Sequence, residues 1–241
     1  MTQNPDPKLP ADGGDDKSGL VVALDGPSSS GKSTVGAEAA RRLGYRFCDT
    51  GLLYRAVAWL ALDRGVPASD TAALVALAAA VQLRGDEHGR LCHVTADGRD
   101  VTALVHGPTV DRAVSEYSMV PELRAALVVR QRELAARGGI IMAGRDIGTV
   151  ILPDAPVKIY LDASAEERAR RRAAERSAAD TAEASQILVD LRRRDAIDSG
   201  RETAPLRTAD DAVLLNTDGR SLDDTVEEVL RIIREGGGHG R

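Results

Sequence analysis

Apolar residues fall into three patterns along the chain, and each predicts a different element. Short unbroken runs read as buried strands: Leu20-Val-Val-Ala-Leu24 closing on Asp25, Ile140-Ile-Met-Ala143 running into Gly144-Arg145-Asp146, Val157-Lys-Ile-Tyr-Leu161 between prolines, and Val213-Leu-Leu-Asn216. Tyr45-Arg-Phe-Cys-Asp49 reads as a shorter strand running into a capped turn. Helical spacing appears after Gly51 (Leu53, Tyr54, Val57, Ala58, Leu60, Ala61), then over 70–81 behind Ser69 or Asp70 as N-cap, 109–117, 121–137 up to Gly138-Gly139, and 221–234. The third pattern is alternation of apolar and polar residues over 81–105, with turn dipeptides at Gly85-Asp86, His88-Gly89 and Asp97-Gly98, which predicts two or three short antiparallel strands.

Strands alternating with helices imply an α/β fold: a parallel sheet with helices on both faces, carrying a small antiparallel β-insert. Ligands of such sheets sit beyond the carboxyl ends of the strands, where Asp25, Asp49 and Arg145-Asp146 fall, so these should face one crevice. From Ser164 the chain turns helical and rich in arginine (Arg168, Arg170, Arg171, Arg172, Arg176), passes a polar joint over 177–184, and continues as a basic helix over 185–199.

Composition narrows the picture. The 241 residues are 43% hydrophobic and 29% charged, as in a globular chain of one domain with subdomains. A net charge of −5 and only 2% aromatics argue against a nucleic-acid surface and favour a small substrate. Cys48 and Cys92 are far apart and form no C-x-x-C pair, four scattered histidines offer no zinc spacing, and no apolar run is long enough for a membrane; a reduced cytoplasmic monomer is the expectation. Residues 1–18, rich in Pro, Gly and Asp, and the Gly-rich 236–241 read as flexible tails around one domain over 19–235.

Between the first strand and its helix lies Gly26-Pro27-Ser28-Ser29-Ser30-Gly31-Lys32-Ser33-Thr34, a full G-x-x-x-x-G-K-S match in the strand–turn–helix context that a phosphate loop requires. Gly26 and Gly31 permit a tight backbone whose N–H groups converge on phosphate oxygens at a helix N-terminus. Lys32 can reach the outer phosphates, and the Ser33 hydroxyl can ligate Mg²⁺. The reading is of a nucleoside triphosphate site, with ATP and Mg²⁺. No N-K-x-D base-reading strand end accompanies it, and Asp86-Glu-His-Gly89 sits in a polar turn, so a nucleotide switch is disfavoured. Arginines beyond the sheet instead suit phosphoryl transfer to an anionic acceptor, where charge neutralisation dominates.

At Cys48-Asp49-Thr50-Gly51-Leu52-Leu53-Tyr54-Arg55, Gly144-Arg145-Asp146-Ile147-Gly148-Thr149-Val150 and Arg194-Asp195-Ala196-Ile197-Asp198-Ser199-Gly200-Arg201 the chain resembles the bacterial cytidylate kinases, P-loop enzymes that phosphorylate CMP and dCMP with ATP. The resemblance spans about 20–233. It implies that Arg55 and Arg145 hold the acceptor phosphate with Arg201 nearby. Thr50 would stand by the nucleotide, Ser115, Arg124 and Asp146 would read cytosine beside Gly144, and Arg194 and Asp198 would hold the ribose. Lys32, Arg145, Arg194 and Asp198 would form the catalytic set, with Arg168 and Arg171 closing over the ATP phosphates from a lid over about 164–201. The acceptor-binding region would span about 50–137. Asp25 and Asp49 are candidates to assist through Mg²⁺ or its waters. UMP, AMP or shikimate remain alternative acceptors. Two departures stand out: three serines in the loop, where the family more often has a central glycine or alanine, and His106 in place of an arginine.

Bland readings compete at several positions. Tyr54 either packs the core or lines the pocket, and Asp49 either caps a helix or serves the site. Glu166, Glu167 and Glu175 among the lid arginines fit a solvated face of i,i+4 pairs as well as a phosphate clamp, and Arg170 and Arg172 are expected at the surface.

Overall fold

Parallel pairing at the centre follows from strands apolar on both faces. The computed structural model describes residues 19–176 and 181–237. The expected tail over 1–18, residues 238–241 of the expected C-terminal tail and residues 177–180 of the polar joint lie outside the described residues. β1 (Val21–Asp25) pairs in parallel with both β6 (Ile140–Gly144) and β7 (Val157–Asp162). β2 (Arg46–Asp49) lies outside β6, and β8 (Val213–Asn216) outside β7. With β3 (Val81–Gly85) and β4 (Arg90–Ala96) the order is β3-β4-β2-β6-β1-β7-β8, and β5 (Arg99–Asp100) pairs with β4. The alternating segment thus forms antiparallel strands as its pattern predicts. They are not detached from the main sheet, because Arg90 and Leu91 pair in parallel with Phe47 and Cys48.

Side-chain alternation sorts the two faces of the sheet. Val22, Leu24, Ile141 and Ile159 point to one face, covered by α1 (Lys32–Leu43) and the amphipathic α8 (Leu222–Gly236). Gly236, expected in the C-terminal tail, is the last residue of α8. Ala23, Ile140 and Met142 point to the other, covered by Ala135 of α5 (Pro121–Ala135) and by a π-helical turn, Ile147–Ile151. That turn has no signature in the apolar spacing. A further core joins α2 (Gly51–Arg64), α3 (Thr71–Ala79), α4 (Pro108–Tyr117) and α5 over Val81 and Val94. The Asp70 carboxylate caps α3 by accepting from the Ala73 N–H at 3.0 Å, as expected.

α6 (Ala165–Arg176) and α7 (Thr181–Gly200) pack on each other through Ala169, Ile187 and Leu191. α7 starts at Thr181 rather than near 185. Two backbone features shape the turn after β1. Gly26 has φ 148°, and a Cβ there would come within 2.0 Å of the Leu161 carbonyl oxygen, so only glycine fits. Ser29, in the serine-crowded middle, also adopts a positive φ of 58°.

Candidate functional site

The carboxyl ends of β1, β2 and β6 open on one cleft of about 310 Å³. Its floor is the loop. Ser28, Ser29, Gly31, Lys32, Ser33 and Thr34 line it, whereas Gly26, Pro27 and Ser30 shape the turn behind. Lys32 is buried; its Nζ donates to the Pro27 carbonyl at 2.6 Å and to Ser30 Oγ at 3.3 Å. Burial, reinforced by Arg145, pushes the Lys32 ammonium well below the ordinary lysine pKa. An ammonium in that state gains from an incoming anion.

Beside it, Ser33 Oγ donates to Asp49 Oδ2 at 2.5 Å, while Asp49 Oδ1 accepts from the Gly51 N–H at 3.0 Å. The N-cap of α2 is Thr50 and not Asp49, but Asp49 still accepts from the first N–H of that helix while lining the cleft. A hydroxyl and a carboxylate in contact form the hard-oxygen pair that suits Mg²⁺, an ion that needs only one or two protein ligands beside phosphates and water. Asp25 does not join them. Both its oxygens accept backbone N–H groups, Ile147 at 2.8 Å and Gly148 at 2.7 Å, and it does not line the cleft, contrary to the expectation that it faces the crevice. Burial raises its pKa to about 6 despite those donors.

The wall at the end of β6 carries the pair on which the site turns. Arg145 donates through Nε to Asp198 Oδ2 (2.9 Å), through Nη1 to the Gly26 carbonyl (3.1 Å) and through Nη2 to Ser28 Oγ (2.7 Å). Next to it the buried Asp146 carboxylate accepts a short hydrogen bond from Arg124, which also donates to the Ser118 carbonyl at 3.1 Å. The Arg124 guanidinium lies 5.4 Å from the ring centroid of Tyr54. Tyr54 is buried and also lines the cleft, so neither reading of it excludes the other. Thr50 and Ser115 line the cleft too, although the Thr50 hydroxyl already donates to the Ala143 carbonyl at 2.9 Å. Gly144 leaves room for this packing, since a Cβ there would come 2.8 Å from Thr50 Oγ1.

Opposite stand the groups of α2, α4, α6 and α7. Arg55 donates to Asp111 Oδ1 at 2.7 Å and to the Val105 carbonyl at 3.0 Å. Arg172 donates to Asp111 Oδ2 at 3.2 Å, across from α6. Burial pushes the Asp111 carboxyl up, but Arg55 and Arg172 outweigh it and leave it below its usual range. The same contest at Asp198, with Arg145 and Arg201 opposing burial, ends the same way. Arg194 faces like charges; burial, then Arg145 and Arg55, lowers its pKa to about 10. Arg201 lies 3.2 Å from Asp198 Oδ1.

Two expected phosphate clamps do not reach the cleft. Arg168 is buried, and its donors are taken by the Ala163 carbonyl (2.9 Å), the Ser28 carbonyl (3.2 Å) and Asp195 (2.7 Å). Arg171 donates to Glu167 Oε1 at 2.8 Å, to the Thr217 carbonyl at 2.7 Å and to the Ser30 carbonyl of the loop at 3.4 Å. Both brace α6 against the back of the loop. Arg170 is exposed on Glu167, as expected, whereas Arg172, expected at the surface, lines the cleft with Glu175. The turn of the helix decides this, and i,i+4 spacing within a run of arginines does not reveal it. Ser118 and Gly51 also line the cleft without having been singled out. His106 lines it as well; burial and Arg55 lower its pKa.

The family model described as Cytidylate kinase matches residues 22–235. A cytidylate kinase of Geobacillus kaustophilus (strain HTA426) is 44% identical over 219 residues, spanning 90% of this chain and 97% of that protein. Another, of Rhodococcus opacus (strain B4), is 44% identical over 228 residues, spanning 93% and 99%. With matches of this extent, the chain belongs to the cytidylate kinase family.

Proposed function

We propose that this chain transfers the γ-phosphoryl group of ATP to CMP or dCMP, giving ADP and CDP or dCDP. One observation carries the reading: seven cationic side chains and four carboxylates converge on a single cleft between the phosphate loop and the Arg124–Asp146 pair, in a chain whose net charge is −5. That surplus of positive charge suits two anionic nucleotides meeting end to end.

In this reading the ATP phosphates lie on the backbone N–H groups of the loop at the N-terminus of α1, and Lys32 turns from the Pro27 carbonyl toward them. Ser33 and Asp49 would hold Mg²⁺, which when bound neutralises phosphate charge. Arg55, Arg145 and Arg201 take the acceptor phosphate, and Arg194 and Asp198 take the ribose. The acceptor phosphate oxygen then attacks the γ-phosphorus in line, and no covalent enzyme intermediate is needed. Arginine forks supply the electrostatic stabilisation, because they match phosphoryl oxygens two at a time. The lid of α6 and α7 excludes water, so that hydrolysis does not compete.

Cytosine offers an amino donor beside the N3 and O2 acceptors. The Asp146 carboxylate complements the donor, and Arg124 with Ser115 complements the acceptors. Uracil has a carbonyl where cytosine has its amino group, which would set an acceptor against a buried carboxylate. Discrimination of roughly 10²-fold or more follows. A coupled assay of ADP release with CMP, dCMP, UMP, AMP and shikimate tests this. Preference for the cytidylates is expected, and equal rates would refute it. We further read the chain as a monomer and, in keeping with its family, as cytoplasmic; among the described residues no helix is long and apolar enough to cross a membrane.

A further inference from the structure

Asp25 ends β1 one residue before the phosphate loop, and it is only 5% exposed. Burying a carboxylate is unfavourable unless hydrogen bonds compensate it. Here they come from backbone alone: the Ile147 N–H at 2.8 Å to Oδ1 and the Gly148 N–H at 2.7 Å to Oδ2. Those two amides open the π-helical turn that follows Arg145-Asp146. A helical turn leaves its first N–H groups without partners of its own. The Asp146 carbonyl accepts from the Val150 and Ile151 amides at the far end of the same turn. Asp146 is therefore pinned on both sides, by its own carbonyl and by the Asp25 carboxylate reaching across from β1. The neighbouring Gly26 carbonyl holds Arg145 Nη1 at 3.1 Å.

The charged groups facing Asp25 are Lys32 on the loop side and Asp146 on the turn side. Tyr160, its partner in the parallel register with β7, packs from the third side. None of these side chains hydrogen-bonds to it, so its hydrogen-bonding capacity goes to the turn.

We propose that Asp25 is a positioning residue for acceptor recognition: its two-oxygen grip on the Ile147 and Gly148 amides sets Asp146 against the base and Arg145 against the phosphates. The proposal rests on the reading that Asp146 and Arg145 contact the acceptor. It also ties the two nucleotide sites through one dipeptide, since Asp25 and Gly26 belong to the strand end that begins the ATP loop.

The test uses the full chain and its Asp25→Asn variant. Asparagine keeps one acceptor and turns an amino group toward the second amide, pushing the turn away. The readout is the ratio of kcat/KM for CMP to that for UMP, with the KM of each nucleotide and the dissociation constant of ATP alone. A misplacement of the reading group by a fraction of an ångström narrows the ratio by roughly tenfold or more, and raises KM for CMP well beyond KM for ATP. Any inactive fraction cancels in the ratio, so loss of fold alone leaves it unchanged. Gly148→Ala provides a second route. Its Cβ would lie 3.1 Å from Lys158 Cδ and 3.4 Å from Asp25 Oδ2, displacing the turn without altering β1 or the loop. It narrows the ratio in the same direction. A selective parent whose ratio stays within about twofold in both variants overturns the positioning role alone. A parent with no preference for CMP over UMP overturns the functional reading, and this role with it.

Discussion

Arg145 on the strand side and Asp198 on the lid side meet at 2.9 Å, and this contact holds the end of α7 against the end of β6. Arg145 also binds the loop at Gly26 and Ser28, so one guanidinium spans the three parts that must come together for transfer. Asp198→Asn keeps the shape and removes the charge. A hydrogen bond to a charged group is worth about 1.5–3 kcal/mol, so kcat/KM for CMP should fall roughly 10- to 150-fold. Steady-state kinetics against CMP and ATP check this, and a fall of less than about threefold would speak against the contact.

Asp111 accepts from Arg55 and Arg172 at once, and so links the acceptor region to the lid. In Asp111→Asn the lid loses a tether across the mouth of the cleft and water gains access. Acceptor-independent ATP hydrolysis should rise, measured as phosphate release without CMP. Arg172→Ala should act alike, and the double variant should show non-additivity of about 0.5–3 kcal/mol. Strict additivity would mean that the two act separately.

The contact of Ser33 with Asp49 predicts a metal requirement. Chelation should abolish transfer and added Mg²⁺ restore it. Ser33→Ala should raise the Mg²⁺ concentration for half-maximal rate by roughly tenfold, with little change in thermal stability. Unchanged Mg²⁺ dependence would remove Ser33 from the metal site.

Asp25 carries a pH signature. Its folded pKa of about 6 lies above the ordinary 3.8, so the fold favours the neutral form. The stability it contributes is complete below about pH 4 and is lost as pH rises through 6, by about 3 kcal/mol for a two-unit shift. Asp25→Asn lacks this group. Denaturant unfolding from pH 4 to 7.5 should therefore show the parent losing stability relative to the variant across that window; a flat difference would contradict it.

Much of the fold was readable because parallel strands buried on both faces leave unbroken apolar runs, as in 20–24 and 140–143. The phosphate loop was readable because its chemistry is local: Gly26 to Thr34 are consecutive in the chain and Lys32 lies among them. Other features depend on long-range contacts. The partners of Asp25 are amides 122 and 123 residues away, which no local pattern announces. Arg168, Arg171 and Arg172 are indistinguishable by spacing, yet two donate to loop carbonyls and one lines the cleft. Which contacts α6 makes with the loop sets that division, and no local pattern encodes it. The π-helical turn after Asp146 was likewise invisible, since its stabilising carboxylate comes from another strand.

Acceptor identity tests the central claim most directly. ADP release should be measured with ATP, Mg²⁺ and each of CMP, dCMP, UMP, AMP and shikimate under one condition. CMP and dCMP should turn over with kcat/KM roughly 10²-fold or more above the others, and ATP hydrolysis without acceptor should be slow. Equal rates across the acceptors, or ADP release indifferent to any of them, would contradict a cleft built for a cytidine monophosphate.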